Sequence, residues 1–122
     1  MSNVRALALA TLLALVPLRA NAQALQSVNI NRAKLTWTWA VGDGGAADYF
    51  NMKCGTAPGS YTRITRVNAP TTELSVAQAI AGSGTWYCVV TAVNQFGESG
   101  PSNELPFVAG AAPSTPGNLT VQ

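Results

Sequence analysis

Thr85-Trp86-Tyr87-Cys88-Val89-Val90-Thr91-Ala92-Val93-Asn94 is the stretch on which the fold turns. Its period is two. Trp86, Cys88, Val90 and Ala92 fall on one face of an extended chain, and Tyr87, Val89, Thr91 and Val93 on the other. Aromatic and β-branched side chains dominate, and these suit a pleated surface. Both faces are apolar, which predicts a strand covered on both sides, at the centre of its sheet. Gln95 to Pro101 then turns the chain, and Asn103 to Val108 returns as a last strand.

The same period holds toward the N-terminus. In Lys34 to Trp39, Leu35, Trp37 and Trp39 share one face and Lys34, Thr36 and Thr38 the other. In Tyr49 to Cys54, Phe50, Met52 and Cys54 oppose Tyr49, Asn51 and Lys53. Val41-Gly42-Asp43-Gly44-Gly45 is a loop by composition, and Thr56-Ala57-Pro58-Gly59-Ser60 a turn. Tyr61 to Val67 reads as an edge strand guarded by its arginines. Leu74 and Val76 mark a short strand, Ala77 to Gly84 a connection of small residues, and Leu25 to Ile30 the first strand. No stretch has convincing amphipathic helical spacing. Seven short strands at this turn density predict an all-β fold, a seven-stranded antiparallel β-sandwich.

The chain has 122 residues, with 7 Lys+Arg, 5 Asp+Glu and no histidine. One domain is expected, and the usual general base and commonest metal ligand are missing. Residues 1–22 read as a signal peptide: Arg5, an apolar run from Ala6 to Val16 broken only by Thr11, then Ala20-Asn21-Ala22. Cleavage is expected after Ala22. The apolar run would rise about 16 Å as a helix, roughly half the hydrocarbon core, so a secretory signal is expected and not a membrane anchor. No transmembrane segment is expected after its removal. The location implied is secreted or periplasmic. Without Arg5 and Arg19 the remaining five basic residues balance Asp43, Asp48, Glu73, Glu98 and Glu104. A net charge near zero gives no footprint for nucleic acid.

Cys54 and Cys88 form an even count in an exported chain, which favours a disulfide. Cys54 ends the third strand and Cys88 lies near the start of the sixth. If those strands are antiparallel neighbours, both sulfurs face the core and a cross-strand bridge is geometrically open. Closing that loop contributes about 3–4 kcal/mol.

Trp86 to Asn103, with its Ala92-Val93-Asn94-Gln95-Phe96-Gly97-Glu98-Ser99 segment, resembles the sixth strand, following loop and last strand of a fibronectin type III domain. Leu35-Thr36-Trp37 is similar to that family's Leu-x-Trp in its second strand. The resemblance covers roughly residues 25–108 and implies an immunoglobulin-like sandwich. Strands one, two and five would face strands three, four, six and seven. Trp86 stands where the family usually has the tyrosine of its corner motif, so that hydrogen bond is absent or made otherwise. The proline-led first strand of the family is poorly matched by Ala24 to Ile30. The family's Arg-Gly-Asp loop reads Gln95-Phe96-Gly97-Glu98-Ser99 here, so integrin binding is not expected.

Asp43 and Asp48 are two carboxylates where calcium needs six to eight oxygens, and no metal or other cofactor is expected. No base stands ready to activate a serine or threonine, the carboxylates are scattered, and the cysteines are not a Cys-x-x-Cys pair, so an enzyme is not expected. Trp37 belongs to the core. Trp39, Tyr49, Tyr61 and Phe96, with Tyr87, are the aromatic candidates for a surface that binds protein or glycan. Asn118-Leu119-Thr120 is a glycosylation sequon in a host that glycosylates. After Val108, Ala109 to Gly117 reads as a small-residue linker containing proline. Asn118, Leu119, Thr120 and Val121 then look like the opening strand of another module.

The expectation is a domain at residues 23–108 and a linker with a strand-like tail at 109–122. It would act as an exported, non-catalytic module, binding or structural, of the kind used in cell adhesion. The alternative is a self-assembling fibre subunit, donating residues 118–121 head-to-tail to a neighbouring copy.

Overall fold

Alternating burial along the chain organises residues 25–122, the part described by the computed structural model. The signal-peptide reading of residues 1–22 lies outside the described residues. Eight strands form among the described residues. They are β1 (Gln26–Asn29), β2 (Lys34–Thr36), β3 (Tyr49–Gly55), β4 (Arg63–Asn68), β5 (Glu73–Ser75), β6 (Gly84–Asn94), β7 (Gly97–Glu98) and β8 (Leu105–Gly110). A short helix, α1 (Val76–Ala79), connects β5 to β6. No helix among the described residues is long and apolar enough to cross a membrane.

The strands make two sheets. The larger runs β1-β8-β6-β3-β4, with β7 also paired to β6; the smaller is β2-β5. β6 is central, as its two apolar faces predict: Trp86 and Cys88 are buried on one side, Val89 and Thr91 on the other. The sheets close on a shared core. Leu35 and Leu74 come from the small sheet, and Phe50, Met52, Trp86 and Phe107 from the large one. The all-β, two-layered architecture is therefore present.

Cys54 and Cys88 are directly opposite in the β3–β6 register, with Cα atoms 4.2 Å apart, and are bonded to each other. Both are buried. Gly55 follows under the Ala57–Ser60 turn so closely that a Cβ there would lie 1.8 Å from the Ser60 carbonyl oxygen. Only glycine permits that approach.

Four features differ from expectation. First, β1 belongs to the large sheet and runs parallel to β8, with Gln26 to Asn29 opposite Phe107 to Gly110. The large sheet is thus mixed, not wholly antiparallel, and β1 is not beside β2. The cause is the reversal after it. Ala33 N–H and Arg32 N–H donate to the Asn29 carbonyl, and Asn31 N–H to the Asn29 side chain. That tight turn carries the chain across the layers, so its two arms enter different sheets.

Second, the expected turn at Gln95–Pro101 contains β7, making eight strands and not seven. Pro101 cannot donate to a ladder. Between β7 and β8 the hydroxyls of Ser99 and Ser102 instead accept from Ala92 N–H and Val90 N–H, at 2.9 and 3.0 Å. Regular pairing resumes only at Leu105. Third, β2 stops at Thr36 and leaves Trp39 beyond the strand. β5 is only three residues long, and the last rung is Trp37 N–H to the Thr72 carbonyl. Fourth, Val76 begins a helix and does not extend a strand. Ser75 accepts from Gln78 N–H, a Ser-x-x-Gln cap too short to show helical periodicity.

Candidate functional site

The Trp37–Phe50–Trp39 stack positions one wall of the site. Phe50 is buried, and the indoles of Trp37 and Trp39 meet its ring edge-on, with centroids 5.5 and 5.7 Å away. Trp37 is half-buried against the core. Trp39, two residues past the last rung at Trp37, keeps 39% of its surface exposed. Beyond it Gly42-Asp43-Gly44-Gly45 closes a tight turn, with Gly45 N–H donating to the Gly42 carbonyl. Gly45 sits at φ +86°, a conformation that favours glycine.

Asn94 ties the two halves of the site together. Its amide donates to the Gly44 carbonyl at 2.9 Å, holding the 42–45 turn against the end of β6. Its carbonyl oxygen accepts from Phe96 N–H at 2.9 Å, which fixes the β6–β7 turn. Phe96 is thereby held at the tip with 83% of its surface exposed. Between these walls lies an open depression of about 600 Å³, lined by Trp39, residues 42–47 and the two sides of the β6–β7 hairpin.

A charged cluster lies behind the depression, on the outer face of the large sheet. The Glu98 carboxylate receives Lys53 Nζ at 2.7 Å and Thr91 Oγ1 at 2.5 Å. Lys53 first, then Thr91, hold it below the usual carboxylate range. These partners keep Glu98 ionised on the face of the sheet opposite Trp39. In the depression itself, the exposed rings of Trp39 and Phe96 suit stacking on an apolar or sugar face.

The structure thus brings Trp39 and Phe96 to one place and leaves the other candidates elsewhere. Tyr49 lies on the outer face of the large sheet under the Arg66 guanidinium, 3.7 Å from its ring centroid. Tyr61 is half-buried and donates to Glu104, whose carboxylate also accepts from Gly59 N–H at 2.8 Å. That carboxylate pushes the Tyr61 hydroxyl above the usual phenol range. Tyr87 is half-buried on the outer face of β6. Asp43 shares the depression and Asp48 stands outside it, its N–H donating to the Val93 carbonyl. Asn118, Leu119, Thr120 and Val121 are all exposed.

Sequence reasoning missed Glu98, Lys53 and Asn94. Lys53 and Glu98 are 45 positions apart, and only the β3–β6–β7 register brings them together. Asn94 carried a signal, an Asn two residues before an exposed aromatic and three before a glycine. Searches with this chain match no protein-family model, no curated protein and no solved structure.

Proposed function

We propose that this chain is an exported, non-catalytic binding module of fibronectin type III type, which engages a protein or glycan partner through the Trp39–Phe96 depression. The observation that carries the reading is Phe96, a large apolar ring held outward by the Asn94 hydrogen bond. Leaving it in water costs free energy that a partner's surface recovers. Trp39 supplies the second contact.

The module assignment is supported by three features. Two sheets share one core, and Ala92 to Ser99 has the family's pattern. Trp86 Nε1 also donates to the Gly82 carbonyl four residues upstream at 3.0 Å. That bond ties strand to preceding loop, as a corner tyrosine would. The parallel β1 departs from the order implied by the family. Export is supported by the order of residues 1–22 and by the disulfide, since such bonds persist in oxidising compartments.

The test is selection of binders from an array of neutral oligosaccharides and a displayed library of apolar peptides. Binders selected on the parent should lose at least tenfold affinity to Phe96→Ala and Trp39→Ala, with thermal midpoints little changed. Binders indifferent to both substitutions would place the interaction on another surface.

A further inference from the structure

The small sheet has only two strands, so β2 and β5 each leave one edge unpaired among the described residues. The β2 edge is the one that borders a groove. Among the described residues β2 pairs with β5 alone. Ala33, Leu35 and Trp37 turn their backbone groups toward β5, as the Val76 N–H to Ala33 and Trp37 N–H to Thr72 bonds show. The alternate residues Lys34, Thr36 and Thr38 therefore direct N–H and C=O outward along an edge that no described strand occupies.

That edge opens onto the core. A groove of about 510 Å³ runs between β2 and the inner face of the large sheet, with Leu35, Trp37, Met52, Val90 and Leu105 along it. Leu105 keeps 40% of its surface exposed there. The indole Nε1 of Trp37 is shielded from solvent and has no hydrogen-bond partner among the described residues. A shielded N–H without an acceptor is rare in a folded protein, so this wall lacks a partner.

The same chain carries an unpaired segment of matching chemistry, which would have to become extended to pair. Every residue from Ala111 to Gln122 is exposed, with Leu119 at 100% and Val121 at 98%. In an extended chain Leu119 and Val121 share one face, and Asn118 and Thr120 the other. The tail leaves from Gly110, whose carbonyl is held by Ile30 N–H. That is the end of β8 away from Leu105, about 17 Å along the strand. It heads away from its own groove. Residues 111–117 span about 23 Å when extended, enough to reach a neighbouring molecule.

We infer that the β2 edge of one copy accepts residues 118–121 of a second copy as an added strand. Leu119 and Val121 enter the groove against Trp37, Val90 and Leu105. The strand's backbone pairs with Thr36 and Thr38, and one of its oxygens accepts from Trp37 Nε1. The contact is head-to-tail, so each copy offers one donor and one acceptor and the assembly propagates. This surface is separate from the Trp39–Phe96 depression, and either reading stands without the other.

Two variants of the exported protein test it. Leu119→Asp with Val121→Asp removes the donor from a fully exposed tail, and Leu105→Arg blocks the acceptor at a half-exposed position. The parent should associate progressively between about 1 μM and 1 mM in sedimentation velocity. Each variant alone should lose at least tenfold in association, since a charge would enter an apolar groove. An equimolar mixture of the two should recover a single interface and stop at a 1:1 heterodimer. In that heterodimer the Trp37 indole N–H resonance of the donor-dead partner should shift. A parent monomeric throughout, a donor variant that associates like the parent, or a mixture that fails to pair would each overturn the inference.

Discussion

The Cys54–Cys88 region and the Trp39–Phe96 region are built from the same strands, β3 and β6, yet treat their side chains in opposite ways. Around Cys54 nearly every group is satisfied within the molecule. The sulfurs are bonded, Gly55 admits the Ser60 carbonyl, and Tyr61 and Gly59 N–H share Glu104. At the other end of β6, hydrogen bonds from Asn94 hold Phe96 out in solvent. One region fixes the strands relative to each other, and the other uses that rigidity to display apolar surface. A rigid scaffold carrying an exposed loop is where binding is expected.

The comparison breaks most readily at the bridge. Replacing Cys54 and Cys88 together by Ala should cost about 2–5 kcal/mol in denaturant unfolding, chiefly by releasing the unfolded chain from its loop constraint. The depression at the other end should keep its affinity for selected binders wherever the variant remains folded. Gly55→Ala comes next, at about 1–3 kcal/mol, because a backbone oxygen 1.8 Å from the new methyl must move. A Gly55→Ala protein as stable as the parent would show that the 57–60 turn can slide, and that this region is less fixed than its packing indicates.

Both regions were unequally legible in the sequence. Alternation at Phe50, Met52 and Cys54 and at Trp86, Cys88 and Val90 specified inward faces, because a period of two leaves no choice once one face is apolar. The cysteine pairing followed from that register. Alternation cannot say which sheet a strand joins, and β1 shows the consequence. Val28 and Ile30 pack on the core from the large sheet, and the turn at Asn29 then sends the chain to the small one. Trp39 and Phe96 were legible as exposed aromatics but not as neighbours. Their meeting depends on Asn94 reaching Gly44, a contact across 50 residues. Tyr49 and Tyr61 looked the same in sequence and went elsewhere, one to Arg66 and one to Glu104.

Phe96→Ala should sharpen the contrast in the opposite sense to the bridge. With so little of the ring buried, stability should change by no more than about 0.5 kcal/mol, while affinity for selected binders falls. A marked loss of stability would mean that Phe96 supports the turn and does not merely ride on it.

Acid and alkali should separate the two regions with the smallest effect of all. Glu98 is held ionised in the fold by Lys53 and Thr91, so its folded pKa lies below its unfolded one. Its contribution is complete above the unfolded value and fades as pH falls through the folded one, in the acid range below about pH 4. Tyr61 has the reverse sign. Its neutral hydroxyl donates to Glu104, so its contribution is complete below the unfolded value and fades as pH rises beyond the usual phenol range, above about pH 10. Lys53→Met should therefore flatten the acid limb of a stability–pH curve and leave the alkaline limb alone, and Tyr61→Phe should do the converse. Both groups face solvent, and added salt should shrink the acid limb through the Lys53–Glu98 pair. It should leave the alkaline limb nearer its original size, because a tyrosine hydroxyl bonded to one carboxylate depends more on contact than on long-range charge. If one substitution moved both limbs together, the two regions would be coupled through β3 and β6, and the division between scaffold and display surface would fail.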